Sequence, residues 1–159
     1  MKARVTLSKI LLMAVLMGVA SCQKEPLETR NAELDQTSWT LMGYIDQDGV
    51  FEPLSMPEEW KDKSYNVFFE ENKLFGTMPN GDLSYGRYQA LKSGKWIFLE
   101  KFPRTDKNYG NLSERFMSAL GNVYSYELSE NELKLISTEE KKSSSERVII
   151  VMVFKKDKL

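Results

Sequence analysis

Residues 148–154, VIIVMVF, are seven apolar side chains with no polar break. A strand with one wet face alternates, so an unbroken run requires cover on both sides. We read it as a strand with one face turned into a closed or strongly curved sheet and the other against a helix. Arg147, Lys155 and Lys156 flank the run as charged guards against edge-to-edge pairing.

The helix that would meet it follows residue 110. Asn111 suits an N-cap, and Glu114 sits three residues on, where it can return a hydrogen bond. Leu112, Phe116 and Leu120 fall on one face, with Met117 and Ala119 beside them, and Gly121 stands where a left-handed residue ends a helix. A segment this short does not stay helical alone in water. Burying its three large side chains contributes ~1.5–3 kcal/mol each, so the helix persists by docking. A hairpin follows directly. Tyr124, Tyr126 and Leu128 share one strand face, residues 129–132 turn, and Leu133 and Leu135 continue the pattern.

Upstream, residues 38–45, 65–70, 73–78, 83–91 and 95–101 have strand composition. Turn chemistry separates them at residues 46–49, 71–72, 79–82 and 92–94. Asp46-Gln47-Asp48-Gly49 begins like a calcium loop, but the later acids and the closing Glu are missing, so it reads as an Asp-Gly turn. Ser55-Met56-Pro57-Glu58 has capping-box spacing and predicts a helical turn through Trp60. Both faces of Trp96-Ile97-Phe98-Leu99 are apolar, which places that strand inside the sheet. The fold class is therefore mostly β (α+β): a strongly curved antiparallel sheet or small β-barrel with one short docked helix, over residues 37–159.

Before that domain the chain changes character. Lys2, Arg4 and Lys9 precede an apolar run at residues 10–20, and small residues lead to Cys22. The run is short of the ~20 residues needed to span a bilayer and has the order of a secretory signal peptide. Residues 22–36 are polar and aperiodic, a tether. Val19-Ala20-Ser21-Cys22 resembles the bacterial lipobox. That resemblance implies cleavage after residue 21 and lipid attachment at Cys22, whose thiol is then an anchor and not a nucleophile. Losing residues 1–21 removes three basic side chains and leaves 19 against 23 acidic ones, a charge of -4. Gln23 in place of Asp points to the outer membrane, and Lys24 and Glu25 partly resemble a surface-export signal, so the domain faces the periplasm or the cell surface.

The domain itself resembles the META-type domain of bacterial envelope and heat-shock-associated lipoproteins. The residues that carry this are Trp39-Thr40-Leu41, Tyr65-Asn66-Val67-Phe68-Phe69 with Gly76, Gly86-Arg87-Tyr88, Glu114 to Leu120, Val123 to Leu128, and Leu133-Lys134-Leu135. The family's Gly-Cys-Asn turn is replaced here by Gly76-Thr77-Met78. The resemblance implies an envelope location and no established catalytic machinery. A lipocalin-like small lipoprotein is the competing family; it shares the opening Trp and the meander but not the helix before Tyr124.

Histidine is absent and Cys22 is the single cysteine, which removes the commonest acid/base, the commonest metal ligand and any internal disulfide. No metal-spaced set, phosphate-cradling glycine loop or cofactor motif occurs, and the acidic balance does not suit nucleic acid. Glu58-Glu59, Glu70-Glu71 and Glu139-Glu140 are adjacent pairs, whereas a glycosidase needs carboxylates facing across a substrate. Lys101, Arg104 and Lys107 beside Tyr109 form a small basic group suited to an anionic glycan or headgroup, and read first as an exposed loop. Trp96 and Phe98 suit a cleft but read first as core. The expected function is a non-catalytic lipid-anchored envelope lipoprotein, a binding or envelope-maintenance module. It meets the membrane through Cys22, and an envelope protein or a small apolar ligand. The alternatives are a lipocalin-like carrier of small apolar ligands and a hydrolase with an unrecognised carboxylate or Ser-Lys site.

Overall fold

The computed structural model of the chain describes residues 33–91, 96–100, 110–140 and 146–158. The leader, Cys22, most of the tether and the basic group at residues 101–107 lie outside these.

The elements in order are β1 (Thr37–Ile45), β2 (Phe51–Pro53), a 3-10 turn (Glu58–Trp60), β3 (Asn66–Glu70), β4 (Lys73–Thr77), β5 (Leu83–Leu91) and β6 (Trp96–Glu100). They continue with α1 (Gly110–Gly121), β7 (Val123–Leu128), β8 (Glu132–Glu140) and β9 (Arg147–Lys156). All pairings are antiparallel, and the sheet runs β2-β1-β3-β4-β5-β6-β7-β8-β9. β9 also pairs with β1, so the curled sheet returns on itself and β2 remains outside the ring. Among the described residues this is the mostly β architecture with one α-helix that the sequence predicts.

Local chemistry sets the register. Glu71 and Asn72 both take positive φ, 46° and 67°, giving the two-residue turn that matches strand twist. Asp46 Oδ1 accepts from the amides of Asp48 (3.0 Å) and Val50 (2.8 Å), with Gly49 at φ +79°, so residues 46–49 form an ordinary Asx-type turn. β1 carries a bulge between Leu41 and Gly43. Trp39 and Leu41 point inward on odd positions, and the extra residue moves the inward set to Tyr44 while leaving Met42 outside. A Cβ at Gly43 would lie 2.2 Å from the Glu52 carbonyl oxygen, so only glycine lets β2 approach here.

Three expectations are corrected. The capping box at Ser55 does not form: Pro57 occupies the cap position of the 3-10 turn and no side chain caps it. Gly121 is the last helical residue and is not left-handed. The stop is made by Asn122, whose amide nitrogen donates to the Ser118 carbonyl at 2.9 Å and whose backbone N–H donates to Ala119 at 3.1 Å. Third, α1 lies on the inner side of the sheet. Ser137, on the same buried row as Leu133 and Leu135, donates to the Ala119 carbonyl at 2.6 Å. The outer face of β9 is left open at Ile149, which is 54% exposed, so the apolar run is covered on one face and only partly on the other.

Phe116 and Leu120 of α1 are fully buried, and Phe116 meets the Tyr65 ring at 5.0 Å. Tyr65 and Ser113 share a buried hydroxyl pair at 2.8 Å. The helix thus caps the interior from the end of the ring that holds Tyr44, while Trp39, Phe69, Tyr88, Tyr126 and Phe154 fill the rest.

Candidate functional site

Three surface features and one interior feature have distinctive chemistry. At the capped end, the Arg115 guanidinium lies 4.2 Å from the centre of the Tyr44 ring. It reaches Glu52 at 3.4 Å and Glu139 at 3.7 Å. A groove of about 580 Å³ runs beside it, lined by one side of α1 (Asn111, Leu112, Glu114, Ser118) and by Glu139, Glu140 and Val148. The guanidinium is already shared between two carboxylates and a ring, so it offers little to an incoming anion. These partly exposed ion pairs contribute on the order of 0–1 kcal/mol each.

A second groove, of about 450 Å³, crosses the outside of β1, β8 and β9. Met42, Ile45, Phe51 and Val153 form its apolar part, and Lys134 and Lys155 stand at its rim. Lys134 is within 3.6 Å of Glu132 and 3.7 Å of Glu127.

The third feature is an aromatic stripe on the outer wall of β3, β4 and β5. Pairing sets Phe68 opposite Phe75 and Phe75 opposite Tyr85. The first two rings stack at 4.5 Å with 7° between planes, and the third follows at 5.8 Å. Tyr85 is 56% exposed.

Inside, the hydroxyls of Tyr44 and Tyr88 are buried without a hydrogen-bond partner. Burial pushes both phenols well above their ordinary value; Arg115 partly offsets this at Tyr44, while Asp35 and Tyr126 add to it at Tyr88. Burial also raises Tyr65, against the hydrogen bond from Ser113.

Glu58, Glu59, Glu70 and Glu71 are exposed on separate elements, and Glu139 and Glu140 edge the first groove. They do not converge. Among the described residues no group of three His, Cys, Asp or Glu side chains is placed to hold a metal. Cys22 and the basic group at Lys101, Arg104 and Lys107 are outside the described residues, and the same holds for the side chains of Trp96 and Phe98. Sequence reasoning did not single out Arg115 or the stripe. The signal for the stripe is parity: Phe68 sits two residues from outward Asn66 and Glu70, and a two-residue turn at Glu71-Asn72 must pair it with Phe75.

No family model matches the chain, and no curated protein sequence matches it. Among solved structures it is similar to a DUF4847 family protein from Bacteroides vulgatus, with TM-score 0.53 and 18% identity, over 81% of this chain and 98% of that one. What the two share is the fold. An NMR structure of a protein from Burkholderia xenovorans also aligns, with TM-score 0.48 and 12% identity, over 80% of this chain and 86% of that one.

Proposed function

We propose that the chain is a non-catalytic, lipid-anchored envelope lipoprotein whose β domain binds through its outer surface. The observation that carries this reading is the occupied interior. Phe116 and Leu120 enter from α1, and Trp39, Tyr88, Tyr126 and Phe154 fill the space below at 0–1% exposure. A small ring filled by its own side chains leaves ligand contact to its outside. The buried polar residues among the described residues are Ser84, Ser113 and Ser137, all hydroxyls, so the hydrolase reading lacks a buried carboxylate pair to stand on. The anchor rests on Val19-Ala20-Ser21-Cys22 at the end of a signal-like leader, and the outer-membrane address on Gln23. The META-type resemblance, carried by the residues quoted for it in the sequence, is a further support for this reading.

A carrier of small apolar ligands is the second reading, favoured by the returning antiparallel ring and by the unpartnered Tyr44 and Tyr88 hydroxyls inside it. Titration with N-phenyl-1-naphthylamine separates the two. The filled interior predicts no saturable fluorescence rise. A saturable one-to-one rise competed by fatty acid would establish the carrier instead. For the anchor, the intact mass of protein from the envelope should equal the chain from Cys22 plus its acyl groups, and Cys22→Ser should release the protein from membranes.

A further inference from the structure

We propose that the outer wall of β3, β4 and β5 rests on the lipid surface to which Cys22 tethers the domain; this builds on the lipoprotein reading above. The argument starts where the chain enters the fold. The Asp35 carboxylate accepts from the Glu71 amide at 3.0 Å, and the Gln36 amide donates to the Phe69 carbonyl at 2.9 Å. Asp35 and Gln36 thus lie beside the β3–β4 turn, while Glu33, two residues nearer the tether, accepts from the Tyr126 hydroxyl on β7 at 3.4 Å, so the tether enters across this end of the ring. Between Cys22 and Glu33 lie residues 23–32, ten residues. They span about 35 Å at full stretch and roughly 16–19 Å as a coil. The end of the ring holding Glu70, Lys73 and Arg87 is thus the end kept near the membrane.

The aromatic stripe begins one outward row from that end. Phe68, Phe75 and Tyr85 stand two residues from Glu70, Lys73 and Arg87, which is about 7 Å along the strands. Leu83, 51% exposed, continues the apolar surface on β5. Tyrosine with a wet hydroxyl beside Lys and Arg is the composition that suits the headgroup boundary. The charges at this end are mixed, Lys73 and Arg87 against Asp35, Glu70 and Glu71, so aromatic contact and not a net field holds the surface down. The other large exposed apolar side chains among the described residues, Met42, Val50, Phe51 and Ile149, lie toward the opposite end of β1 and β9. The β1–β2 turn at Asp48 is separated from the tethered end by the length of β1, about 27 Å.

The test uses the full chain purified from envelopes, with its intact mass read first. An unlipidated Cys22 would end the lipoprotein reading, and the proposal with it. With Cys22 lipidated, Tyr85→Cys, Leu83→Cys and Asp48→Cys each carry a single free thiol for an environment-sensitive fluorophore. The labelled proteins are placed in phosphatidylethanolamine–phosphatidylglycerol vesicles with and without spin-labelled lipid. The expected result is a blue-shifted probe at 85 and 83, quenched severalfold by the spin-labelled lipid, and a water-like probe at 48. Unquenched, water-like emission at 83 and 85 overturns the proposal. So does a shielded but unquenched probe, which would mean that a protein covers the wall, and so does equal quenching at 48. The Leu83 position decides the matter if Tyr85→Cys does not fold.

Discussion

Among the described residues the ring has one long seam and one lean seam. β8 and β9 are in register from Glu132↔Lys155 to Glu140↔Arg147, and β9 continues onto β1 from Trp39↔Lys156 to Ile45↔Val151. Between β6 and β7 the described register is the single pair Trp96↔Ser125. The long seam is held by backbone hydrogen bonds over the whole strand. Between β6 and β7 in sequence the chain inserts α1, which reaches Tyr65, just before β3, through Ser113 and Ser137 of β8 through the Ala119 carbonyl. A helix too short to stand alone thus persists by docking its buried side chains into the interior of the ring.

The strongest way to break this comparison is Phe116→Ser. Removing a fully buried aromatic that touches Tyr65 should cost about 3–5 kcal/mol, a large share of the roughly 5–15 kcal/mol that domains have. Urea unfolding should show a much lower midpoint. An unchanged midpoint would mean that the docking of α1 does not hold the core together. Ser113→Ala tests the same contact more finely. It leaves the buried Tyr65 hydroxyl unpaired and should cost about 1–3 kcal/mol, whereas Ser113→Ala combined with Tyr65→Phe should recover part of that loss.

Alkali should sharpen the contrast between interior and wall. Tyr44, Tyr65 and Tyr88 hold their protons above the ordinary phenol value, so the folded state keeps protons that the unfolded chain releases. Their contribution is whole below pH of about 10 and falls as pH rises through the folded values. Thermal scans should show stability dropping above that pH. Tyr88→Phe should flatten the drop and leave neutral-pH stability unchanged or slightly higher, because its hydroxyl has no partner to lose. The smallest effect belongs to the outer face of the long seam. Ile149→Thr should stay within about 0.5 kcal/mol, since that side chain is half exposed and the backbone ladder does not depend on it. A loss comparable to Ser113→Ala would show that the long seam depends on its side chains after all.

The helix and the strand after it were legible from periodicity: Leu112, Phe116 and Leu120 share a face, and the structure places α1 at Gly110–Gly121, although Asn111 lies inside the helix and not at its cap, and Gly121 is not its left-handed stop. The hairpin at Glu71-Asn72 was legible for a similar reason, since a two-residue turn leaves no freedom in pairing. The side of the sheet that α1 occupies was not. An apolar run on β9 looks the same whether a helix or solvent faces its outer row, and Ser137, which marks the inner row, looks like a surface residue in sequence. The bulge at Leu41/Gly43 was hidden as well, because it changes parity within one continuous strand. The Arg115 cluster depends on three distant segments meeting, which no local spacing encodes.

Ring closure has a consequence for how this chain reaches its folded state. Asp157 accepts from Thr40 at 2.6 Å across a separation of 117 residues, and its amide donates to the Ser38 carbonyl at 3.0 Å. β1 is the first strand made and meets one of its three neighbours, β9, last. Such a topology folds slowly, because its closing contact waits on the loss of freedom of nearly the whole chain. During synthesis or threading through a narrow pore, β1 keeps an unpaired edge until β9 has emerged, and the order of arrival holds the ring open until then.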